Sequence, residues 1–207
     1  MKCLEIYYLD INKILHLIDK DSLYSFVEKK DFKSEERKIQ HALGRFLTKI
    51  IALKHNIETP QIYIKNNKPY FENNTLFFSI THTKNIVAVA IWKDNIGIDI
   101  EFMKDRDFAK YFERYSITPN GNDKNSFYEF WTKYEAEIKL QEDIKSFYTF
   151  EIIKDFMCTI CTADKFDIKN NLKIQELSLI KNSNNELTNL KTLITNKNLS
   201  SIKLISR

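Results

Sequence analysis

Two repeating patterns of apolar and polar residues divide the chain into predicted strands and helices. Residues 3–11 resemble a strand. Residues 34–56 (SEERKIQHALGRFLTKIIALKHN) have the three-and-four spacing of a helix that Ser34 caps and that ends before Pro60. The apolar stripe of this helix comprises Ile39, Leu43, Phe46, Leu47, Ile50 and Leu53.

Short strands are predicted in the middle of the chain. They are QIYIK (61–65), LFFSITHT (76–83), NIVAVAIW (85–92) and NIGIDIEF (95–102), with a turn at NNKPY (66–70). The run IVAVAIW is apolar on both faces, which predicts a central position in a sheet.

Helices are predicted to follow these strands. The pattern turns helical from Asp107, breaks at residues 118–123 and resumes over residues 125–141. Two later strands are predicted at SFYTFEII (146–153) and DFMCTICTA (155–163). This order predicts an α+β fold of two similar-sized lobes, residues 1–103 and 104–207, with a tail beyond about residue 181 in which Leu187, Leu190 and Ile194 suggest a short helix.

Charge and cysteine content narrow the expected partners. The 207 residues carry 32 basic and 28 acidic side chains, so a general charge field for nucleic acid or a membrane is not expected. Three cysteines, and a start without a signal sequence or apolar span, indicate reduced thiols in the cytoplasm. Cys158 and Cys161 form a CxxC pair, which we interpret as part of a buried strand, because a tetrahedral zinc site needs four ligands.

The strand NIGIDIEF places two carboxylates on one face. Alternation puts Asp99 and Glu101 beside Gly97 and opposite the isoleucines, with the two carboxylates roughly 6.5 to 7 Å apart. Such a pair repels itself unless a cation lies between the charges. A solvated acidic strand face is the simpler explanation of this stretch taken alone.

The helix FYEFWTKYEAEIKL (127–140) supplies a second candidate group. Its aromatic stripe is predicted to be buried, and comprises Phe127, Phe130, Trp131, Tyr134 and Ile138. A polar stripe beside it comprises Tyr128, Thr132, Glu135 and Lys139. An ordinary surface ion pair explains Glu135 and Lys139 equally well.

Taken together, these segments resemble the Sfp-type 4′-phosphopantetheinyl transferases. The resemblance rests on GIDIE (97–101) and the later W-T-x-x-E-A-x-x-K (131–139), together with KPYF (68–71), FSITHT (78–83) and the apolar strand MCTICT (157–162). It spans roughly residues 35–165. It implies a pseudo-two-fold pair of lobes with the active site in the cleft between them, and transfer of phosphopantetheine from coenzyme A to a serine of an acyl or peptidyl carrier protein.

The resemblance also implies roles for individual residues. Asp99, Glu101 and Glu135 would hold Mg²⁺, with Mn²⁺ as a substitute, and hard carboxylate oxygens suit either ion. The catalytic residues would be Asp99, Glu135 and Lys139. The residues expected to contact coenzyme A are His82, Lys68, Lys139, Lys33 and Arg37, with Lys38 as a further candidate. His82 could equally be a structural histidine, and a solvated basic face explains the three residues near Ser34.

This chain departs from the family pattern at three places. Tyr134 stands where most members have lysine, with Lys133 as a neighbouring substitute, and Gln40 stands where an arginine is usual. The glycine-rich loop and extra strand that often follow the helix are missing. Two alternatives stay open: a degenerate homologue that binds coenzyme A without transferring anything, and a metal-dependent nuclease, although Glu101 lacks the Glu-x-Lys context usual in nucleases. We expect a monomer.

Overall fold

The computed structural model describes most of the chain in an α+β arrangement. The described residues are 3–27, 31–58, 60–72, 76–116, 118, 123–180, 188, 190 and 202–206. The predicted helix break at residues 118–123 and the predicted tail beyond residue 181 lie largely outside them. No helix in the described residues is long and apolar enough to cross a membrane.

A five-stranded sheet forms around the N-terminal strand. Its order is β10-β9-β1-β5-β4, and β9 runs parallel to β1 while the other neighbours are antiparallel. The strands are β1 (Leu4–Asp10), β4 (Phe77–Thr83), β5 (Ile86–Trp92), β9 (Leu172–Leu179) and β10 (Ile202–Ser206). The predicted central position of IVAVAIW is confirmed, because β5 is buried along its length between β1 and β4.

Two smaller sheets complete the strand structure. A hairpin pairs β2 (Ile62–Lys65) with β3 (Lys68–Phe71), so the turn predicted at NNKPY is confined to Asn66 and Asn67. A three-stranded sheet has the order β6-β8-β7, formed by β6 (Ile96–Phe102), β7 (Ser146–Ile153) and β8 (Phe156–Thr162). Cys158 and Cys161 are buried free thiols in β8, as the strand interpretation predicts.

The helices cover the outer faces of the two larger sheets. Short helices α1 (Ile11–Ile14) and α2 (Lys20–Tyr24) precede α3 (Glu35–Lys54), and α4 (Ala109–Tyr115) precedes α5 (Asp123–Leu140). Helix α3 packs on the five-stranded sheet through Leu43, Phe46 and Leu47. The other face of that sheet packs on Ile96, Ile98 and Ile100 of β6. The layers therefore run α3, five-stranded sheet, three-stranded sheet, α5.

Helix α3 begins and packs as its sequence predicts. The Ser34 hydroxyl accepts a hydrogen bond from the Arg37 amide, which satisfies one of the unpaired amides of the first turn. Every member of the predicted stripe is buried except Leu53, which is half-buried.

Helix α5 approaches β6 at Gly97. A Cβ on Gly97 would lie 2.0 Å from the Ala136 carbonyl oxygen and 2.9 Å from the Leu140 amide nitrogen. Both are backbone atoms of α5, so only glycine permits this contact. The face of β6 that carries Gly97, Asp99 and Glu101 is thus covered by α5 at Gly97.

The buried face of α5 differs from the prediction. Tyr128, Thr132, Ala136 and Leu140 are fully buried, whereas Tyr134 and Ile138 are 41% and 51% exposed. The predicted aromatic stripe is therefore confirmed at Phe127, half-buried at Phe130 and Trp131, and wrong at Tyr134 and Ile138. Three of its residues also contact the Tyr115 ring: Phe130, Trp131 and Tyr134.

Strand pairing crosses the predicted boundary after residue 103. Strand β6, before the boundary, pairs with β8, and β9 and β10, after it, join the sheet of β1. The sequence analysis did not identify β9 or β10. The division into lobes stays a prediction.

Polar contacts of Glu5 link β1 to the C-terminal end of α3, and they make the stability of the fold sensitive to acid. Burial alone raises the pKa of Glu5, but the nearby His55 imidazole, the hydrogen bond from Tyr7 and the Lys54 charge outweigh it and lower the pKa to about 2. Because the folded pKa lies below the ordinary value of 4.5, this carboxylate stabilises the fold above about pH 4.5, and the contribution is lost as pH falls toward 2.

The Glu5→Gln variant should therefore lose about 1 to 3 kcal/mol of unfolding free energy at pH 7 and show a flatter stability curve between pH 5 and 3. Urea denaturation across that range measures the effect. A Glu72→Gln variant on the β3 side of the molecule is the control. Equal slopes for wild type and Glu5→Gln would contradict the assignment.

Candidate active site

The candidate site lies where β4 and β6 run side by side at the junction of the two larger sheets. Hydroxyl groups of β4 serve as acceptors for β6: Ser79 Oγ accepts from the Ile98 amide at 3.3 Å, and Thr81 Oγ1 accepts from the Ile100 amide at 3.2 Å. These bonds fix the register of the acidic strand against FSITHT. The two motifs are therefore held together by their own polar side chains.

Hydroxyl groups of β4 also form hydrogen bonds with the two carboxylates of β6. Thr81 Oγ1 donates to Asp99 Oδ1 at 3.0 Å, and Thr83 Oγ1 donates to Glu101 Oε2 at 3.2 Å. Asp99 is 5% exposed, and its Oδ2 atom is buried without a hydrogen-bond partner. A buried carboxylate oxygen without a partner is costly unless a ligand satisfies it.

Burial disfavours the charged forms of both carboxyl groups, and the Asp99 charge adds to this effect at Glu101. Burial raises the pKa of Asp99, and the Lys139 ammonium and the Thr81 hydroxyl oppose this only in part. Burial and the neighbouring Asp99 charge raise the pKa of Glu101. A cation between the two carboxylates would remove both penalties.

Helix α5 brings Lys139 onto this pair. Lys139 Nζ lies 2.6 Å from Asp99 Oδ1. Thr132, two turns earlier, is buried against β8, where its Oγ1 lies 2.7 Å from Thr159 Oγ1. Glu135 falls between Thr132 and Lys139 on the same helical stripe and is half-buried.

The acidic pair fits a divalent cation, whereas Glu135 does not join it in this conformation. Asp99 and Glu101 offer hard oxygens, one of them unsatisfied, which suit Mg²⁺. Within the described residues, no three His, Cys, Asp or Glu side chains form a group that could hold a metal ion. Two of the three expected ligands therefore meet at the β4–β6 junction, and the third lies on the adjacent helix.

A basic cavity of about 390 Å³ opens beside the acidic pair. Its charged or titratable lining comprises His41, Arg45, Lys68, His82 and Lys139. His82 is exposed to solvent on β4, and partial desolvation by neighbouring side chains together with the charges of Lys139, Arg37 and His41 lowers its pKa. The histidine is neutral at pH 7, and the cavity is suited to an anion.

The sequence analysis missed His41 and Arg45. They lie one turn apart on α3, beside its apolar stripe, and both line the cavity with His82. Helical spacing from His41 to Arg45 was the available signal. Only the packing of α3 on β4 shows that this flank faces the site.

Lys68, which was expected to contact coenzyme A, also holds two elements of the fold together. Its ammonium donates to the Leu140 carbonyl at 2.8 Å and also contacts the Asn95 side chain, while lining the cavity. Burial lowers the pKa of Lys68 to about 8. Lys68 thus ties the C-terminal end of α5 to the β2–β3 hairpin.

The remaining predicted cations differ in their distance from the cavity. Lys33 and Arg37 are exposed near the start of α3, and the charge of Arg37 reaches His82. Lys38 Nζ lies 3.9 Å over the Tyr24 ring. Lys133 Nζ lies 3.9 Å over the Phe147 ring, so the proposed substitute for the missing lysine is directed at β7. Gln40 is buried and donates to the Lys84 carbonyl at 2.6 Å.

A comparison with known proteins agrees with the family resemblance of the sequence motifs. A Haemophilus influenzae protein named "Putative 4′-phosphopantetheinyl transferase" is 33% identical to this chain over 120 residues. The chain resembles a phosphopantetheinyl transferase. The match covers 51% of this chain, and the chain spans half the length of that relative. No protein-family model matches the chain. The comparison confirms the transferase resemblance noted in the sequence.

Proposed function

We propose that the chain transfers the 4′-phosphopantetheine arm of coenzyme A to a serine hydroxyl of an acyl or peptidyl carrier protein and releases 3′,5′-ADP. The observation that carries the proposal is the pairing of two different environments. Buried Asp99 with an unsatisfied oxygen and half-buried Glu101 form an acidic pair, and Lys139 both contacts Asp99 and lines a basic cavity. A diphosphate is stabilised by cationic side chains, and a divalent cation bound to it is stabilised by carboxylate ligands.

Coenzyme A is proposed to bind with its phosphates in the basic cavity. Lys139 and Arg45 carry charge at neutral pH, and neutral His82 can donate one hydrogen bond to a phosphate oxygen. Arg37, Lys33 and Lys38, near the start of α3, are candidates for the 3′-phosphate because a helix N-terminus favours negative charge. The cleft between two lobes is proposed as the wider setting.

Mg²⁺ is proposed to be held by Asp99 and Glu101, with Glu135 as the third protein ligand, and it would neutralise charge on the diphosphate oxygens when bound. Thr81 and Thr83 orient the two carboxylates through their hydroxyl hydrogen bonds. Gly97 lets α5 lie against β6, and Glu135 is proposed to reach the carboxylates from the helical stripe that includes Lys139.

Side chains of the protein are proposed to accept the serine proton and to stabilise the leaving group. Glu135, or a water that the metal would hold, is proposed to accept the proton of the carrier serine as its oxygen attacks the phosphoryl group that bears pantetheine. The bond from that phosphorus to the bridging oxygen breaks, and 3′,5′-ADP carries away the electron pair. Lys139 and His82 stabilise the charge that develops on the departing phosphate. A monomer is proposed as the active form.

Transfer can be measured directly by intact mass. The purified chain should convert an apo carrier protein to a form heavier by one phosphopantetheine arm when coenzyme A and Mg²⁺ are present, and EDTA should stop the reaction. A carrier whose acceptor serine is replaced by alanine is the matched control. Binding of coenzyme A without any mass gain on a panel of fatty-acid, polyketide and peptide carriers would favour the degenerate homologue. Cleavage of DNA or RNA under the same conditions would favour the nuclease.

A further inference from the structure

Lys139 pairs with the carboxylate that a metal ion would need. Its ammonium lies 2.6 Å from Asp99 Oδ1, and the two side chains are 29% and 7% exposed. Thr81 already donates to that same oxygen at 3.0 Å. A dication bound to Asp99 would lie within a few ångströms of the ammonium, where like charges repel strongly in a partly buried site. Lys139 and the cation are therefore alternative partners of one carboxylate.

The Lys139 ammonium also has a second possible partner, an anion bound in the basic cavity. Its side chain lines the basic cavity together with His82 and Arg45. An anion in that cavity would offer the ammonium a charge-assisted contact in place of Asp99. A change of side-chain rotamer suffices to exchange one partner for the other.

The end of α5 is fastened, so the helix need not move. The Leu140 carbonyl, next to Lys139, accepts from Lys68 Nζ at 2.8 Å and from Asn95 Nδ2 at 2.8 Å. Gly97 lies against the same turn. Movement is therefore confined to the Lys139 side chain, while the backbone that carries it stays in place.

We propose that Lys139 is an internal competitor of the metal: it holds Asp99 while the cavity is empty and moves to the phosphates of the coenzyme when they bind, which opens Asp99 to the cation. The inference rests on the proposed function. It makes binding of metal and coenzyme cooperative, and by thermodynamic linkage each raises the affinity of the protein for the other by the same factor.

The test measures Mn²⁺ affinity in the absence of coenzyme A, by electron paramagnetic resonance of free Mn²⁺. Lys139→Met and Lys139→Gln should each bind Mn²⁺ at least about tenfold more tightly than wild type, since no ammonium competes for Asp99. Lys139→Gln keeps a hydrogen-bond donor for Asp99, which protects the fold. Lys139→Arg keeps the charge and should resemble wild type. Glu137→Gln, an exposed change on the same helix, is the control for altered surface charge.

Adding coenzyme A completes the test. Wild type should gain at least about tenfold in Mn²⁺ affinity, and the two neutral variants should gain clearly less, because the competitor is already gone. Unchanged Mn²⁺ affinity in folded Lys139→Met and Lys139→Gln would overturn the inference. Wild-type transfer measured separately by intact mass distinguishes that result from failure of the proposed function.

Discussion

Replacing Gly97 by alanine is expected to destabilise the protein by more than about 3 kcal/mol. The added methyl group would lie 2.0 Å from the Ala136 carbonyl oxygen and 2.9 Å from the Leu140 amide nitrogen. Neither atom can rotate away, because both belong to the backbone of α5. The helix must move off β6, which would also displace Lys139 from Asp99.

Gly44→Ala is the matched comparison for this variant. Its methyl group would meet a side-chain atom, Cγ2 of Ile80, at 2.9 Å, and alanine favours the helix by about 1 kcal/mol over glycine. We expect a net change within about 1 kcal/mol of wild type. Urea unfolding of both variants, followed by circular dichroism, measures the difference. A Gly97→Ala protein as stable as Gly44→Ala would show that α5 does not pack this closely.

Replacing Asp99 by asparagine should reduce phosphopantetheine transfer by about a thousandfold or more while leaving the protein folded. Asparagine has the same shape, and its side-chain oxygen can still accept from Thr81. Lys139, already 29% exposed, can turn toward the cavity. The variant therefore loses the charge that attracts a cation but keeps the packing around it.

Initial rates of carrier modification, read by intact mass, provide the measurement. Glu137→Gln on the exposed face of α5 is the control and should stay within about twofold of wild type, because Glu137 is exposed to solvent. Thermal unfolding checks that Asp99→Asn is intact. Full activity in the folded Asp99→Asn protein would remove this carboxylate from the mechanism.

Local patterns predicted most elements that lie near the site. Strict alternation in NIGIDIEF placed its isoleucines in the core and Asp99 and Glu101 on the opposite face, and the Ser34 cap gave the start of α3. These signals depend on a few neighbouring residues, so the sequence alone contains them.

Features that depend on distant packing were not predictable in this way. Residue spacing identified two stripes on α5, and the more hydrophobic stripe was predicted to be the buried one. Tyr128 and Thr132 of the polar stripe are buried nevertheless, because their hydroxyl groups form hydrogen bonds with Lys104 and Thr159. Strand β9 pairs in parallel with β1 from the far end of the chain. The anchoring of Lys68 on Leu140 likewise requires two segments that only the fold brings together.

The central claim is that Asp99 and Glu101 hold a divalent cation against the diphosphate of coenzyme A. Anomalous diffraction from crystals grown with Mn²⁺ and coenzyme A tests it most directly. We expect one strong peak about 2.0 to 2.3 Å from carboxylate oxygens of both residues and from a diphosphate oxygen, with Lys139 turned to the phosphates. Coenzyme A bound in the cavity with Lys139 still on Asp99, and no anomalous peak at the acidic pair, would contradict the account.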